Sequence, residues 1–380
     1  MARFPDTSPN VRSMVGSVYS SLGKRLVSHE GEVYPLHIGD TWMEPALGCR
    51  LEDLSVGQTP GMHRYTSPAG LEGLRRAIVD KCCQTTGVST EMDDVLVTAG
   101  ATGGLAAIVG ALITPGDEVL ILAPYWPLIA GIVRTFHGTP IPVPLDEVKT
   151  TEQLIEALNV HCSGKATAVY VSSPNNPSGK VFPCEWCTKI AQWATRRNLW
   201  LFSDEVYEDF VYGETHVPIR PLAPERTLSV HSFSKSYGMA GNRVGYVVGP
   251  AKTMREIRKV STHTFYCAPH GAQLTALRAL EGPGRSWVDE ARCKYAELGR
   301  EAASRVGLPA PQGSTFLWLD VAEKLDDRGL LGFLEDCAQE GLFVAPGPSF
   351  GPYPTHIRAC FTAAPPQVTL RGFDILASLL

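Results

Sequence analysis

From about Asp93 the chain repeats one pattern: a short apolar run, a turn, and a helix-forming stretch. DDVLVTAG reads as a strand and GATGGLAAIVGALI as the helix that follows it. DEVLILAP with PYWPLIAGIVRTFHG, and KATAVYVSS with CEWCTKIAQWATRRN, repeat the pair; LWLFSDEVY, RTLSVHSF and NRVGYVVGP are three further strand-like runs. Such alternation dictates an α/β fold, a largely parallel sheet sandwiched by helices. The runs are continuously apolar, as strands covered on both faces must be.

The flanks read differently. LHIGDTWMEPALG and the amphipathic stretch LEGLRRAIVDKC come first, and after Pro269 the helical AQLTALRALEG and WVDEARCKYAELGREAASRVG are followed by a strand pair, STFLWLDV and HIRACFTA. Because 380 residues are long for a single core, these ends are expected to build a smaller α+β domain. The expected division is 1–45 as an N-terminal segment joining the small domain, 46–275 as the large domain, and 276–380 as the small C-terminal domain.

Several classes of protein are excluded. A net charge of −5 leaves no basic footprint for nucleic acid. MARFPDTSPN has no apolar stretch behind Arg3, so no secretory leader is read there. The run from Val95 to Pro115 is uncharged and long enough to span a bilayer, but glycines 100, 103 and 104 interrupt it and no lysine or arginine anchors it. A buried strand–turn–helix unit is expected instead, and no membrane partner. Ten cysteines are too sparse for a disulfide scaffold, and Cys184-Glu-Trp-Cys187 lacks the second pair that a zinc site needs. The pair reads as two ordinary thiols of a cytoplasmic protein, and no metal is expected.

In a parallel α/β sheet, ligands gather beyond the carboxyl ends of the strands. Five strands here end in groups able to do chemistry: Thr98-Ala-Gly-Ala-Thr102, Tyr125-Trp126, Asn175-Asn176, Asp204 with Tyr207, and Ser232-Phe-Ser-Lys235. Gly100-Ala101-Thr102, between strand and helix, leaves free N–H groups for a phosphate. Neither G-x-G-x-x-G nor G-x-x-x-x-G-K-[ST] is present, which disfavours a dinucleotide or a nucleoside triphosphate. A lysine after an apolar strand is costly to desolvate, but becomes sensible if its amine forms a Schiff base with an aldehyde. Ser232, Ser234 and Arg243 are then placed to hold a phosphate. Asp204 closes the apolar run LWLFSD, and a buried carboxylate needs a cation, a metal or hydrogen bonds.

These segments resemble the class I/II aminotransferases, the aspartate aminotransferase family of pyridoxal-phosphate enzymes with fold type I. SFSKSYGMAGNRVGY is similar to that family's cofactor-attachment segment. SSPNNPSG, SDEVYEDFVY, GATGG, PYWP and Tyr65-Thr-Ser-Pro-Ala-Gly-Leu-Glu-Gly-Leu-Arg75 resemble its other landmarks, in order, from about Ile38 to Arg358. The resemblance implies a seven-stranded-type sheet and pyridoxal 5'-phosphate as cofactor. It implies that Lys235 bears the aldehyde and later moves the proton, that Asp204 pairs with the ring nitrogen, and that Asn176 and Tyr207 bond the ring's phenolic oxygen. Trp126 would stack on the ring, while Gly100, Ala101, Thr102, Ser232, Ser234 and Arg243 would bind the phosphate. Tyr65 would reach the phosphate in a neighbouring subunit, making the enzyme a homodimer with shared sites. Arg358, with Gly39, would hold the substrate α-carboxylate, and Trp126 and Asn176 would also contact the substrate. The implied reaction moves an amino group between an L-amino acid and a 2-oxo acid; a lyase or cyclase on the same cofactor is the alternative, and a binding protein without catalysis a third.

The side-chain pocket departs from the family pattern, because no counterpart is found for the extra arginine that holds a distal carboxylate. Asp40-Thr-Trp42, His63, Arg64, Phe265-Tyr266 and His270 are the expected liners.

Overall fold

The structure, a computed structural model, describes residues 6–12, 14 and 29–380. Residues 1–5 of the stretch read for a leader, and much of the 1–45 segment, lie outside it.

Seven strands form the main sheet: β1 (Val95–Thr98), β2 (Glu118–Ala123), β3 (Thr139–Pro144), β4 (Ala166–Ser172), β5 (Trp200–Asp204), β6 (Thr227–Ser232) and β7 (Gly245–Val248), in the order β1-β7-β6-β5-β4-β2-β3. β7 runs antiparallel to both neighbours and every other pairing is parallel. Six of the seven strands, all but β3, are the continuous apolar runs, and in β2 residues 119–122 are all at most 2% exposed. Each such side chain contributes about 1.5–3 kcal/mol by leaving water.

β3 is absent from the apolar runs read above, because TPIPVP carries three prolines. Thr139 N–H donates to Asp117 and Leu145 N–H to Ala123, so the odd positions face β2. Pro140, Pro142 and Pro144 therefore turn toward the open edge, where a missing N–H costs nothing.

The expected helices form at Glu72–Thr86, Gly100–Leu112, Leu128–Thr135, Cys184–Arg196, His270–Glu281 and Gly284–Arg305. The first stops at Gly87, whose φ of +67° makes a left-handed cap that favours glycine. Val95–Pro115 is the expected strand and helix, and among the described residues no helix is long and apolar enough to cross a membrane.

A second sheet holds the expected strand pair, β8 (Phe316–Asp320) with β10 (His356–Cys360), running antiparallel, and adds the short β9 (Ala345–Pro346). The N-terminal segment joins it: Tyr34 N–H donates to Gly341, Phe343 N–H to Tyr34, and Cys360 N–H to Leu36. This bond set carries residues 37–40 toward the carboxyl ends of the main sheet.

Candidate active site

Asp204 is the last residue of β5 and is 6% exposed. Its Oδ2 accepts from the hydroxyl of Tyr170 at 2.5 Å and its Oδ1 from the N–H of Val206 at 3.2 Å. Burial raises its pKa to about 6, and the bonds from Tyr170 and Val206, with the charge of His231, offset only part of that rise. Among the described residues no cation forms an ion pair with it. Tyr207, also buried, lies edge-on to Phe316 at 5.7 Å, and burial pushes its phenol well up.

A cradle lies where β1 gives way to the helix Gly100–Leu112. Gly100 has φ +71°, and a Cβ there would run into the guanidinium of Arg243. Gly245 in β7 is pressed against the same turn, since its own Cβ would stand 2.7 Å from the amide of Ala101. Only glycine permits both approaches. The N–H groups of Gly100, Ala101 and Thr102 belong to the first helical turn and have no partner within the helix. Arg243 turns through φ +55° to reach them, and its Nη1 donates to Ser234 Oγ at 3.4 Å and to Ala240 O at 3.0 Å. Ser232 Oγ accepts from Ser234 N–H at 3.0 Å, so this hydroxyl caps the helix Phe233–Ser236 yet keeps its own proton to donate.

Lys235 lies on that one-turn helix, its side chain 13% exposed. Its Nζ donates to Gly39 O at 2.5 Å and stands 3.5 Å from Asp40 Oδ1. Burial lowers its pKa below the ordinary lysine value, against the pull of Asp40. Gly39 joins this amine to the next group, for a Cβ there would lie 3.6 Å from Arg358 Nη1.

Arg358, on β10, is 4% exposed. Its Nη1 donates to Asn176 Oδ1 at 3.0 Å and its Nη2 to His37 O at 2.7 Å. The guanidinium sits 4.2 Å from the ring centroid of Phe316 and 4.8 Å from that of Phe350. Packing and hydrogen bonds thus fix the plane of the fork, the property that distinguishes arginine from lysine at a carboxylate.

The structure therefore brings Lys235, Gly39, Asn176 and Arg358 together, and Gly100 with Arg243 and Ser234. Trp126 is half-buried just ahead of the helix Leu128–Thr135. Tyr65 is 84% exposed and touches only the edge of Tyr266, at 5.0 Å, among ring contacts. The expected pocket liners make these contacts. Trp42 packs on Tyr295, Phe265 lies against Gly103, and His270 Nδ1 is 3.2 Å from Arg64 O. Cys184 is exposed and Cys187 buried, and both thiols are free.

Two participants escaped the sequence reading. Tyr170 lay inside an apolar run, and its link to Asp204 appears only once β4 is known to lie beside β5. The His37 carbonyl carries no side-chain signal at all. Behind the sheet sits a third group: Glu205, Glu208 and His231 bring ligand atoms within 4.8 Å of one another. Lys81 Nζ lies 2.7 Å from Glu208, so a protein cation already holds that place.

Comparison with known proteins decides the family. The family model for aminotransferase class I and II matches residues 42–373. The chain belongs to the class I and II aminotransferases. A probable aspartate/prephenate aminotransferase of Thermus aquaticus is 32% identical over 312 residues, 79% of this chain and 80% of that protein. An arginine–pyruvate transaminase of Pseudomonas aeruginosa is 29% identical over 86% of this chain and 85% of its own length. The solved aspartate aminotransferase of Thermus thermophilus with maleate superposes with a TM-score of 0.89 at 26% identity, covering 99% of this chain and 100% of that one. The fold is therefore fold type I, and the activity is amino-group transfer; the lyase or cyclase alternative is not favoured.

Proposed function

We propose that this aminotransferase binds pyridoxal 5'-phosphate and moves an amino group between an L-amino acid and a 2-oxo acid. The observation that carries the reading is Asp204, a buried carboxylate at the carboxyl end of β5 that accepts only from Tyr170 and Val206 among the described residues, with Lys235 following the carboxyl end of the adjacent parallel strand β6. The cradle at Gly100 fits a phosphate for the same reason: its amides and Arg243 converge where any larger side chain would intrude. When bound, the cofactor supplies an aldehyde that condenses with amines and a protonated ring that takes up charge from the substrate Cα.

Each residue then has a task. Asp204 Oδ would keep the ring nitrogen protonated, and Asn176 and the Tyr207 hydroxyl would hold the ring's phenolic oxygen. Trp126 would cover the ring and exclude water. The amides of Gly100, Ala101 and Thr102, with Ser232, Ser234 and Arg243, would bind the phosphate. Arg358 grips the substrate α-carboxylate beside Gly39. Lys235 Nζ, its basicity lowered by burial, takes the proton from the substrate Cα and returns it. The large domain over 46–275 would carry the cofactor and the ends of the chain would close over the substrate.

The site is proposed to be completed by a second copy of the chain. Tyr65 at 84% exposure, Leu47 at 75% and Val56 at 58% are exposed large apolar groups of the kind that a second copy would cover. The varied names of the relatives, aspartate/prephenate and arginine–pyruvate, leave the amino acid itself to measurement. Purified protein should show the visible absorbance of a lysine-bound pyridoxal cofactor, and borohydride trapping should tag Lys235. Lys235→Ala should lose both and at least about 10⁴-fold in turnover. A colourless wild type, or a tag on another lysine, would overturn the reading. Loss of colour on adding single amino acids then reports the donor.

A further inference from the structure

Asp204 is the pivot of the proposed site, and what aims it is on the neighbouring strand. β4 and β5 pair in parallel with Ser172 opposite Asp204 and Tyr170 opposite Phe202. Side chains two apart share a face of a sheet, so Tyr170 lies on the same face as Asp204, one step back toward the strand's start. Its ring is 0% exposed and sits in the core with Phe202 and Val230, and its hydroxyl, with Ser172 also beside it, donates to Asp204 Oδ2 at 2.5 Å.

The other carboxylate oxygen is held by a different element, the amide of Val206 at 3.2 Å. One donor on each oxygen fixes the plane of the group. An ionised carboxylate has about four acceptor directions, so two remain for a ligand. We propose that the Tyr170 hydroxyl is a positioning group that holds Asp204 ionised and turned toward the cofactor's ring nitrogen. This rests on the pyridoxal phosphate reading above.

The remaining titratable groups around Asp204 do not serve in this way. Glu205 follows it in the chain, and its charge disfavours a second anion. His231, from β6, acts only through its charge, stacking on Tyr246 at 4.7 Å and facing Glu208 at 3.2 Å. Tyr207 is buried nearby, and its phenol is the group already assigned to the cofactor's oxygen. Tyr170 therefore supplies the one side-chain hydrogen bond that Asp204 accepts among the described residues. A buried tyrosine also needs a partner for its own hydroxyl, so a purely structural role makes the same contact and has to be separated by experiment.

The separation uses two cofactors. Pyridoxal phosphate has the ring nitrogen, and 1-deazapyridoxal phosphate has carbon in its place with the same phosphate and aldehyde. Apo-protein is titrated with each, by fluorescence, for wild type and Tyr170→Phe, after confirming that both melt at similar temperatures. Wild type should prefer pyridoxal phosphate. Tyr170→Phe should bind it about tenfold more weakly while binding the deaza compound as wild type does. The tenfold gap should widen as pH falls, because loss of the donor lets Asp204 protonate sooner. Equal weakening toward both compounds, or no weakening toward either, would overturn the proposal. A wild type that binds neither compound refutes the cofactor reading instead. If Tyr170→Phe does not fold, 3-fluorotyrosine at position 170, a stronger donor, replaces it. The preference for pyridoxal phosphate should then persist to lower pH than in wild type, and an unshifted limb would overturn the proposal.

Discussion

Asp204 and Glu205 are consecutive acids, both buried, and their surroundings treat them in opposite ways. Side chains alternate along a strand, so Asp204 faces Tyr170 and the cofactor side, while Glu205 faces the cavity behind the sheet that Lys81, His216 and Arg220 line. Burial raises both. For Glu205 the hydrogen bond and charge of His216, whose Nε2 lies 2.9 Å away, outweigh burial and bring its pKa below the ordinary value. Ser203 Oγ adds a bond at 2.8 Å. For Asp204 the rise to about 6 stands. A structural carboxylate is thus neutralised within the chain, whereas the other is solvated by two donors and left without its cation. That imbalance is the mark of a group prepared for a ligand.

The largest effect that breaks this comparison is an exchange of phenotypes. Asp204→Asn should lower turnover about 10³-fold, since the ring's protonation is no longer enforced, while leaving the melting temperature close to wild type. Glu205→Gln should do the reverse, lowering the melting temperature and keeping turnover within a few-fold. Steady-state kinetics and thermal melts on the two variants check it. Similar turnover losses in both would mean that the acids act as one network.

A smaller effect sharpens the structural half. His216→Ala leaves Glu205 buried without its cation, at a cost of about 3 kcal/mol. The pH window follows from the two shifts. Glu205 is depressed, so its contribution is present above its unfolded pKa and fades as pH falls through its folded value. His216 is raised by Glu205 despite burial, so its contribution is complete below its unfolded pKa and fades as pH rises through its folded one. The gap in denaturant midpoint between wild type and His216→Ala should therefore be widest between roughly pH 4.5 and 6.5. A gap that does not change with pH would show that lost packing, and not charge, is the cause.

The same contrast explains what was legible in the sequence. Asp204 and Lys235 could be singled out because each is a charged residue just after an apolar run, where burial makes a charge conspicuous, and Arg243 because it follows the lysine by eight positions. The helices after β1 and β4 were legible because their periodicity is local. β3 was not, since three prolines hide a strand whose edge position depends on the order of the other six. Tyr170 was not, because a tyrosine within a run of valines is ordinary until the adjoining strand is known. Nor was the cluster of Glu205 and Glu208, whose respective partners His216 and Lys81 lie on separate segments that only the packing brings together. Trp42, expected either as a pocket liner or as packing, lies partly buried against the core with its ring edge-on to Tyr295.

The smallest effect concerns the protein before any cofactor arrives. Asp204 is raised from 3.8 to about 6 in the fold, so between those values the folded state holds a proton that the unfolded chain has released. Stability from this group therefore falls as pH rises from about 4 to 6, and above 6 the penalty is complete, about 3 kcal/mol. Asp204→Asn removes the charge but not the geometry: Tyr170 and Val206 both offer donors, and an amide has one oxygen to accept them. Most of the gain is lost to that mismatch, leaving a net of about 1 kcal/mol. The apo form of Asp204→Asn should thus melt slightly above apo wild type at pH 8 and no higher at pH 4. Pyridoxal phosphate should then invert the order at pH 8, because only the carboxylate gains from the protonated ring. Apo wild type that is the more stable at pH 8 would mean that Asp204 is already neutralised within the chain, and the contrast with Glu205 would vanish.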